Sequence, residues 1–215
     1  MKISFLASHG GTAARHIITA IRRNELDAEI GIVITNNVNA NINYWCHQNS
    51  IKIAYISGKT HPLESEKDKA ICNTLIHAKT DLIVLSGYMK KIGTITLTEY
   101  SNRILNIHPS LLPKHGGKGL FGDRVHESVL RSGDSQTGAT VQFINEEYDE
   151  GPIILQQIVD VVKGETVNTL KQKVQAIEGE LYLNSIKKII HNSALHSDKI
   201  LSENESICNG VGSDC

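Results

Sequence analysis

Hydrophobic positions change their period several times along this chain, and the changes predict the order of its elements. Lys2–Ala7 is a short apolar run that breaks at Ser8-His9-Gly10-Gly11-Thr12, and from Ala13 to Arg23 the positions Ile17, Ile18 and Ile21 recur at helical spacing. That reads as strand, glycine turn, helix. Glu29–Thr35 (EIGIVIT) is β-branched and continuous, Ile42–Gln48 predicts a helix, Ile51–Ile56 alternates like a strand, and Lys67–Ala78 returns to helical spacing. Asp81–Leu85 (DLIVL) and Arg103–Ile107 (RILNI) are near-continuous apolar runs of the kind that parallel sheets bury on both faces. Strands alternating with helices predict right-handed βαβ units. The expected fold class is therefore α/β: a doubly wound, mostly parallel, Rossmann-like sheet whose ligands bind at the carboxyl ends of its strands.

The pattern changes in the second half. Pro109–Gly122 holds two of the four prolines and is rich in glycine, so it predicts a long loop, a common home of function in a compact domain. A helix is expected over Asp123–Arg131, then strands over Ala139–Ile144 and Ile153–Val162. The acidic turn Asn145–Gly151 between these strands is short, which favours an antiparallel pair near the C-terminal end. Leu170, Val174, Ile177, Leu181, Ile186 and Ile190 predict one long closing helix over Thr166–Ile190. From residue 192 the chain turns polar, so the expected organisation is one domain over 1–191 and a flexible tail over 192–215.

Composition narrows the classes. The chain has 215 residues, 40% hydrophobic and 21% charged, enough apolar sequence for a core and too little charge for wholesale disorder. Lys plus Arg (22) nearly balances Asp plus Glu (23) with no basic run, which argues against a nucleic-acid partner. No apolar stretch approaches the roughly 18 residues of a membrane span, and the N-terminal run is too short for a secretory signal. The expectation is a cytoplasmic protein with small-molecule substrates and no membrane partner, its oligomeric state open. Cys46, Cys72, Cys208 and Cys215 show no ligand-like spacing and read as free thiols.

Two constellations could carry chemistry. The turn Ser8–Thr12, between a strand and a helix, offers backbone N–H groups and a helix dipole to an anion such as phosphate; a tight turn that binds nothing is the competing reading. NAD is disfavoured, because the turn is not GxGxxG and the second strand ends in Thr35-Asn36-Asn37 rather than in an acid. Asn106 and His108 stand two apart at a strand's carboxyl end, so both point to one side. An amide that can stabilise an oxyanion beside an imidazole that can move a proton suits acyl transfer, and Asp149 is the leading carboxylate to orient the ring. Ordinary hydrogen-bonded residues remain the alternative there. A metal site from His108, His115, His126 and Asp123 lacks any ligand spacing, so none is expected; His115 and His126 read as loop and helix-surface residues. Tyr44, Trp45 and Cys46 read as a core-facing apolar helix face.

The segments ILNIHPSLLPK and GATVQFINEEYDEGPIILQ, with DLIVLSGYMKKIG upstream and VQAIEGELY in the last helix, strongly resemble the folate-dependent formyltransferase family over roughly Met1–Ile190. The resemblance implies transfer of a formyl group from 10-formyltetrahydrofolate, as co-substrate and without metal, to the amine of glycinamide ribonucleotide in purine synthesis. It implies Asn106, His108 and Asp149 as the catalytic triad. Gly11, Thr12 and Ala13 would hold the acceptor's phosphate and Glu178 its ribose. Met89, Lys90, Lys91 and Ile92, with Asn145, Glu146, Glu147 and Tyr148, would wall the folate site, and the substrates would meet at Gly87, Ile107 and Pro109.

The chain also departs from the family pattern. Ala13 stands where the phosphate loop usually has asparagine, Gln142 where histidine is common, and the loop KHGGKGLFGDRVHESVL is longer than the familiar form. These changes leave the acceptor open between the ribonucleotide, another amine such as an amino sugar, and water in a hydrolase. A non-catalytic nucleotide-binding module is the remote alternative.

Overall fold

A computed structural model describes the backbone of residues 1–147 and 149–209, and side chains in that range up to residue 193. Seven strands form one sheet: β1 (Lys2–Ala7), β2 (Glu29–Thr35), β3 (Ile53–Tyr55), β4 (Leu82–Leu85), β5 (Ile104–His108), β6 (Gln136–Phe143) and β7 (Ile153–Asp160), in the order β3-β2-β1-β4-β5-β6-β7. The first five are parallel; β6 runs antiparallel to both β5 and β7. The expected doubly wound, mostly parallel sheet with an antiparallel C-terminal pair is therefore present. Strand order reverses at β1, which opens a crevice beyond the carboxyl ends of β1 and β4.

The helices are α1 (Thr12–Arg22), α2 (Asn41–Gln48), α3 (Glu64–His77), α4 (Thr94–Glu99), α5 (Asp123–Ser132) and α6 (Val167–Asn209). Period-two alternation sorts the core into two layers. Ile3, Phe5 and Ala7 of β1 with Leu82 and Val84 of β4 pack on one side with Ile17, Ile18 and Ile21 of α1 and Val174, Leu181, Tyr182 and Ile186 of α6. Leu6, Ile83 and Leu85 pack on the other side with Ile71, Cys72 and Leu75 of α3. Central strands meet apolar layers on both faces, which explains their unbroken hydrophobic runs. Each fully buried Ile or Leu contributes about 1.5–3 kcal/mol. Ser4 answers an irregularity in the β1–β2 register between Ile3 and Phe5: its Oγ accepts the N–H of Ile32 at 3.1 Å and pairs with Thr80 Oγ1 at 2.7 Å.

Several expectations are corrected. The helix α4, unforeseen from the β-branched TITLTE, starts where Asp68 of α3 accepts the N–H groups of Ile95 at 2.8 Å and Thr96 at 3.2 Å. A side chain distant in sequence satisfies its first turn. Gly93 is required there, since a Cβ would lie 2.2 Å from the Asp68 carboxyl carbon. Tyr44 is 69% exposed and leaves the core to Ile42 and Cys46 on the opposite face of α2. His126, read as a surface residue, is 2% exposed inside α5, and burial holds its imidazole below the ordinary histidine range. The closing helix α6 is longer than the expected Thr166–Ile190 and runs to Asn209; residues 210–215 lie outside the described residues. Cys46 and Cys72 are buried free thiols. Among the described residues no helix is long and apolar enough to cross a membrane.

Candidate active site

β5 ends at His108, and Asn106 and His108 share one of its faces. Antiparallel pairing sets Gln142 opposite Asn106 and Thr140 opposite His108, so four polar side chains gather on that face. Thr140 fastens the loop that follows: its hydroxyl donates to Ser110 O at 2.7 Å and accepts the N–H of Leu112 at 3.0 Å.

The acidic turn after β6 folds back over this face. Asp149, in the left-handed region with φ 60°, places Oδ1 3.4 Å from His108 Nδ1, and the two side chains are 12% and 5% exposed. Gln142 Nε2 donates to that oxygen at 3.2 Å, and the N–H of Gly117 donates to Oδ2 at 2.9 Å. Burial is the largest single influence on the Asp149 carboxyl and pushes it up. The hydrogen bond and charge of His108, the Gly117 N–H and the Gln142 amide together outweigh burial, and the carboxyl titrates below its ordinary range. On the other side of the ring, His108 Nε2–H donates to the carbonyl of His115 at 2.8 Å. A carbonyl can only accept, so Nε2 carries a proton.

Asn106 and Asp149 line one end of a cavity of about 150 Å³ whose walls include Lys90, Lys91, Ile92, Asn145, Glu146 and Glu147. This volume is below the roughly 300–1,000 Å³ of a site that swallows a drug-sized ligand. It has room for a fused ring system, with the rest of such a molecule outside. Leu85, Tyr88, Leu97 and Ile144 complete the lining. None of these four was singled out from sequence, where nothing separates them from core residues. Burial pushes the Tyr88 phenol up to about 12, and its buried hydroxyl has no hydrogen-bond partner among the described residues. The Met89 N–H donates to Ser8 Oγ at 2.8 Å, and its side chain is 57% exposed. Tyr148 lies outside the described residues.

At the switch point, Gly11 caps α1 with φ 60°, and a Cβ there would meet Ile42 Cδ1 at 2.7 Å. The Ala14 N–H is taken by Ser86 Oγ at 3.0 Å, so the first-turn donors left without an intrahelical partner are those of Thr12 and Ala13. Gly87, also left-handed, faces this turn and accepts the N–H of Ser8 at 3.3 Å. Gly179 of α6 packs so closely on α1 that a Cβ would lie 3.1 Å from the His16 ring, which sets the neighbouring Glu178 beside α1. Burial raises the Glu178 carboxyl to about 7. One turn further along α6, Tyr182 is fully buried, its hydroxyl donating to Leu85 O at 2.6 Å. Tyr182 thus ties the end of β4 to α6; nothing in the sequence separates it from a core position.

The family model described as formyl transferase matches residues 1–186. A phosphoribosylglycinamide formyltransferase of Haemophilus influenzae is 34% identical over 186 residues, which cover 86% of this chain and 85% of that one. The chloroplastic phosphoribosylglycinamide formyltransferase of Arabidopsis thaliana is 32% identical over 189 residues, 87% of this chain; the chain spans 65% of the plant protein's length. The crystal structure of glycinamide ribonucleotide transformylase 1 from Symbiobacterium toebii superposes with a TM-score of 0.80 at 32% identity, covering 86% of this chain and 85% of that one.

Proposed function

This chain belongs to the formyl transferase family, and on that premise we propose that it moves a formyl group from N10 of 10-formyltetrahydrofolate to the primary amine of glycinamide ribonucleotide, a step of purine synthesis. The observation that carries the reading is the contact of His108 with Asp149 beside Asn106, at the end of a cavity that accepts a fused ring. The amine nitrogen attacks the formyl carbon, and the carbonyl electrons move onto oxygen. The Asn106 amide and the positive His108 ring stabilise that oxyanion, which exists only between the ground states, so their effect falls on the barrier. As the intermediate collapses, the bond from carbon to N10 breaks and the proton lost by the amine ends on N10. Asp149 keeps the ring charged and oriented while that proton is relayed.

The donor's ring enters the cavity walled by Lys90, Lys91, Ile92 and Asn145–Glu147. The acceptor's phosphate lies over Gly11, Thr12 and Ala13, where two backbone donors and the helix dipole favour an anion without the usual asparagine. Glu178 receives the ribose hydroxyls, and the substrates meet over Gly87, Ile107 and Pro109. The test is a formylation assay with 10-formyltetrahydrofolate and a panel of acceptors: glycinamide ribonucleotide, an amino sugar, and water alone. Ribose 5-phosphate should compete with the amine and not with the folate. Turnover with water alone, or indifference to ribose 5-phosphate, would overturn the assignment of the acceptor.

A further inference from the structure

The stretch Lys114–Gly117 wraps around His108 and Asp149 through its backbone. Ser110 Oγ donates to Lys114 O at 2.6 Å, His108 Nε2 donates to His115 O at 2.8 Å, and Gly117 N–H donates to Asp149 Oδ2 at 2.9 Å. Backbone that closely fitted needs an anchor, and the His115 side chain is one. Its Nε2 lies 2.9 Å from Asp134 Oδ2 and its Nδ1 lies 2.9 Å from Ser128 Oγ. The carboxylate only accepts, so Nε2 carries a proton and donates it; in that tautomer Nδ1 accepts the Ser128 hydroxyl. Asp134 is held by Lys114 as well, at 3.3 Å, and with His115 and Lys114 bonded to it its carboxyl titrates below the ordinary range. Ser128 belongs to α5 and Asp134 to the turn before β6, so one side chain spans two elements.

Two further facts bind the anchor to the site. His115 holds a left-handed backbone, φ 56°, a conformation that most side chains avoid and that persists where surroundings enforce it. Gly116 follows it in a space where a Cβ would lie 2.4 Å from Leu112 and 3.3 Å from the Asp149 Cβ, so the chain turns against the pair with no slack.

We infer that His115 is a positioning residue for formyl transfer: gripped by Ser128 and Asp134, it holds its carbonyl on Nε2 of His108 and so leaves Nδ1, beside Asp149, as the nitrogen that exchanges the proton. The inference rests on the function proposed above, but the contact it describes can be observed without turnover. Nε2 is committed to a buried carbonyl at an ordinary hydrogen-bond length, whereas the 3.4 Å from Nδ1 to Asp149 exceeds the 2.7–3.2 Å typical of N–H···O bonds and leaves that side open to a substrate or a water. Sequence gave no signal for this role, because the group that touches His108 is a main-chain oxygen.

The test uses the full chain labelled with ¹⁵N-histidine. In the parent, the Nε2 proton of His108 should give a resonance protected from exchange with water. His115→Ala should lose that protection and lower kcat by about tenfold or more, with KM for the folate changed less than about twofold, since displacement of a reacting group by a fraction of an ångström acts on the chemical step. His115→Asn, which tolerates the left-handed backbone and keeps an amide for either partner, should restore part of both. Ser128→Ala cuts one arm of the grip and serves if the alanine variant does not fold; it should weaken protection and kcat together. A folded His115→Ala enzyme with parental kcat overturns the inference. So does a loss of kcat in which the His108 Nε2 proton stays protected, because the side chain then acts elsewhere. A parent without formyl transfer would defeat the functional reading instead, and the exchange measurement would still decide whether His115 holds the ring.

Discussion

Tyr182 donates its hydroxyl to the carbonyl of Leu85 at 2.6 Å from inside the core, so the last helix holds the end of β4 at the point where the two substrates are proposed to meet. Tyr182→Phe keeps the ring and removes the hydroxyl, leaving the buried Leu85 carbonyl without this partner. The expected cost is about 1–3 kcal/mol of stability, read as a lower urea midpoint at unchanged slope. An unchanged midpoint would mean that water or backbone movement replaces the contact.

Asn106→Ala should abolish most turnover and leave folate affinity near parental. A donor aimed at an oxyanion is worth about 3–4 kcal/mol, or roughly a hundred- to a thousandfold in kcat. Pre-steady-state kinetics with a folate binding titration separate the two quantities. Near-normal kcat in this variant would remove Asn106 from the mechanism.

Asp149→Asn preserves shape and deletes charge, and should cut turnover by orders of magnitude. Glu150→Gln, exposed in the same turn and outside the cavity lining, is the control and should change it little. A pH consequence follows from the depressed carboxyl. Its folded pKa lies below the unfolded value of about 3.9, so its contribution is fully present above that value and is lost as pH falls through the folded one. The Asn variant should therefore lose less stability than the parent on acidification below about pH 4. Acid titrations followed by circular dichroism compare them.

Glu178 has the opposite sign. Its folded carboxyl titrates at about 7 against about 4.3 unfolded, so stability declines as pH rises from 4 to 7 and stays level beyond. Glu178→Gln should match the parent's melting temperature at pH 4 and exceed it at pH 8, while KM for the ribonucleotide rises and folate KM stays unchanged. A variant less stable than the parent at pH 8 would show that the carboxylate is satisfied by a partner in the folded protein.

Most of the sheet was legible because the pattern that predicts it is also its cause: DLIVL is continuous because β4 meets apolar layers on both sides. Asn106 and His108 were legible for a similar reason, since a spacing of two at a strand end fixes a shared face. What could not be read depends on partners distant in sequence. α4 needs the Asp68 carboxylate; Tyr182 earns its place through a carbonyl of β4; the last helix outruns its apolar stripe, which fades after Ile190. Asp149 has no local mark beyond being an acid in a turn; the wish for a carboxylate beside the imidazole made it a candidate, and the family resemblance added the rest.

The antiparallel course of β6 has a consequence for which parts of this chain can change length. Thr140 and Gln142 reach the site by register, so one residue added between Val141 and Gln142 would turn Gln142 to the far side and withdraw its amide from Asp149. Beyond Gly117 the loop meets no such constraint: Lys118–Asp123 is largely exposed, with left-handed glycines at 119 and 122, and makes no described hydrogen bond to His108 or Asp149. The molecule thus has a rigid frame of fixed count and a hem that can be let out. Insertions after Gly119 should leave the pair intact and alter which acceptors are admitted, whereas a single insertion after Val141 should abolish activity with any acceptor.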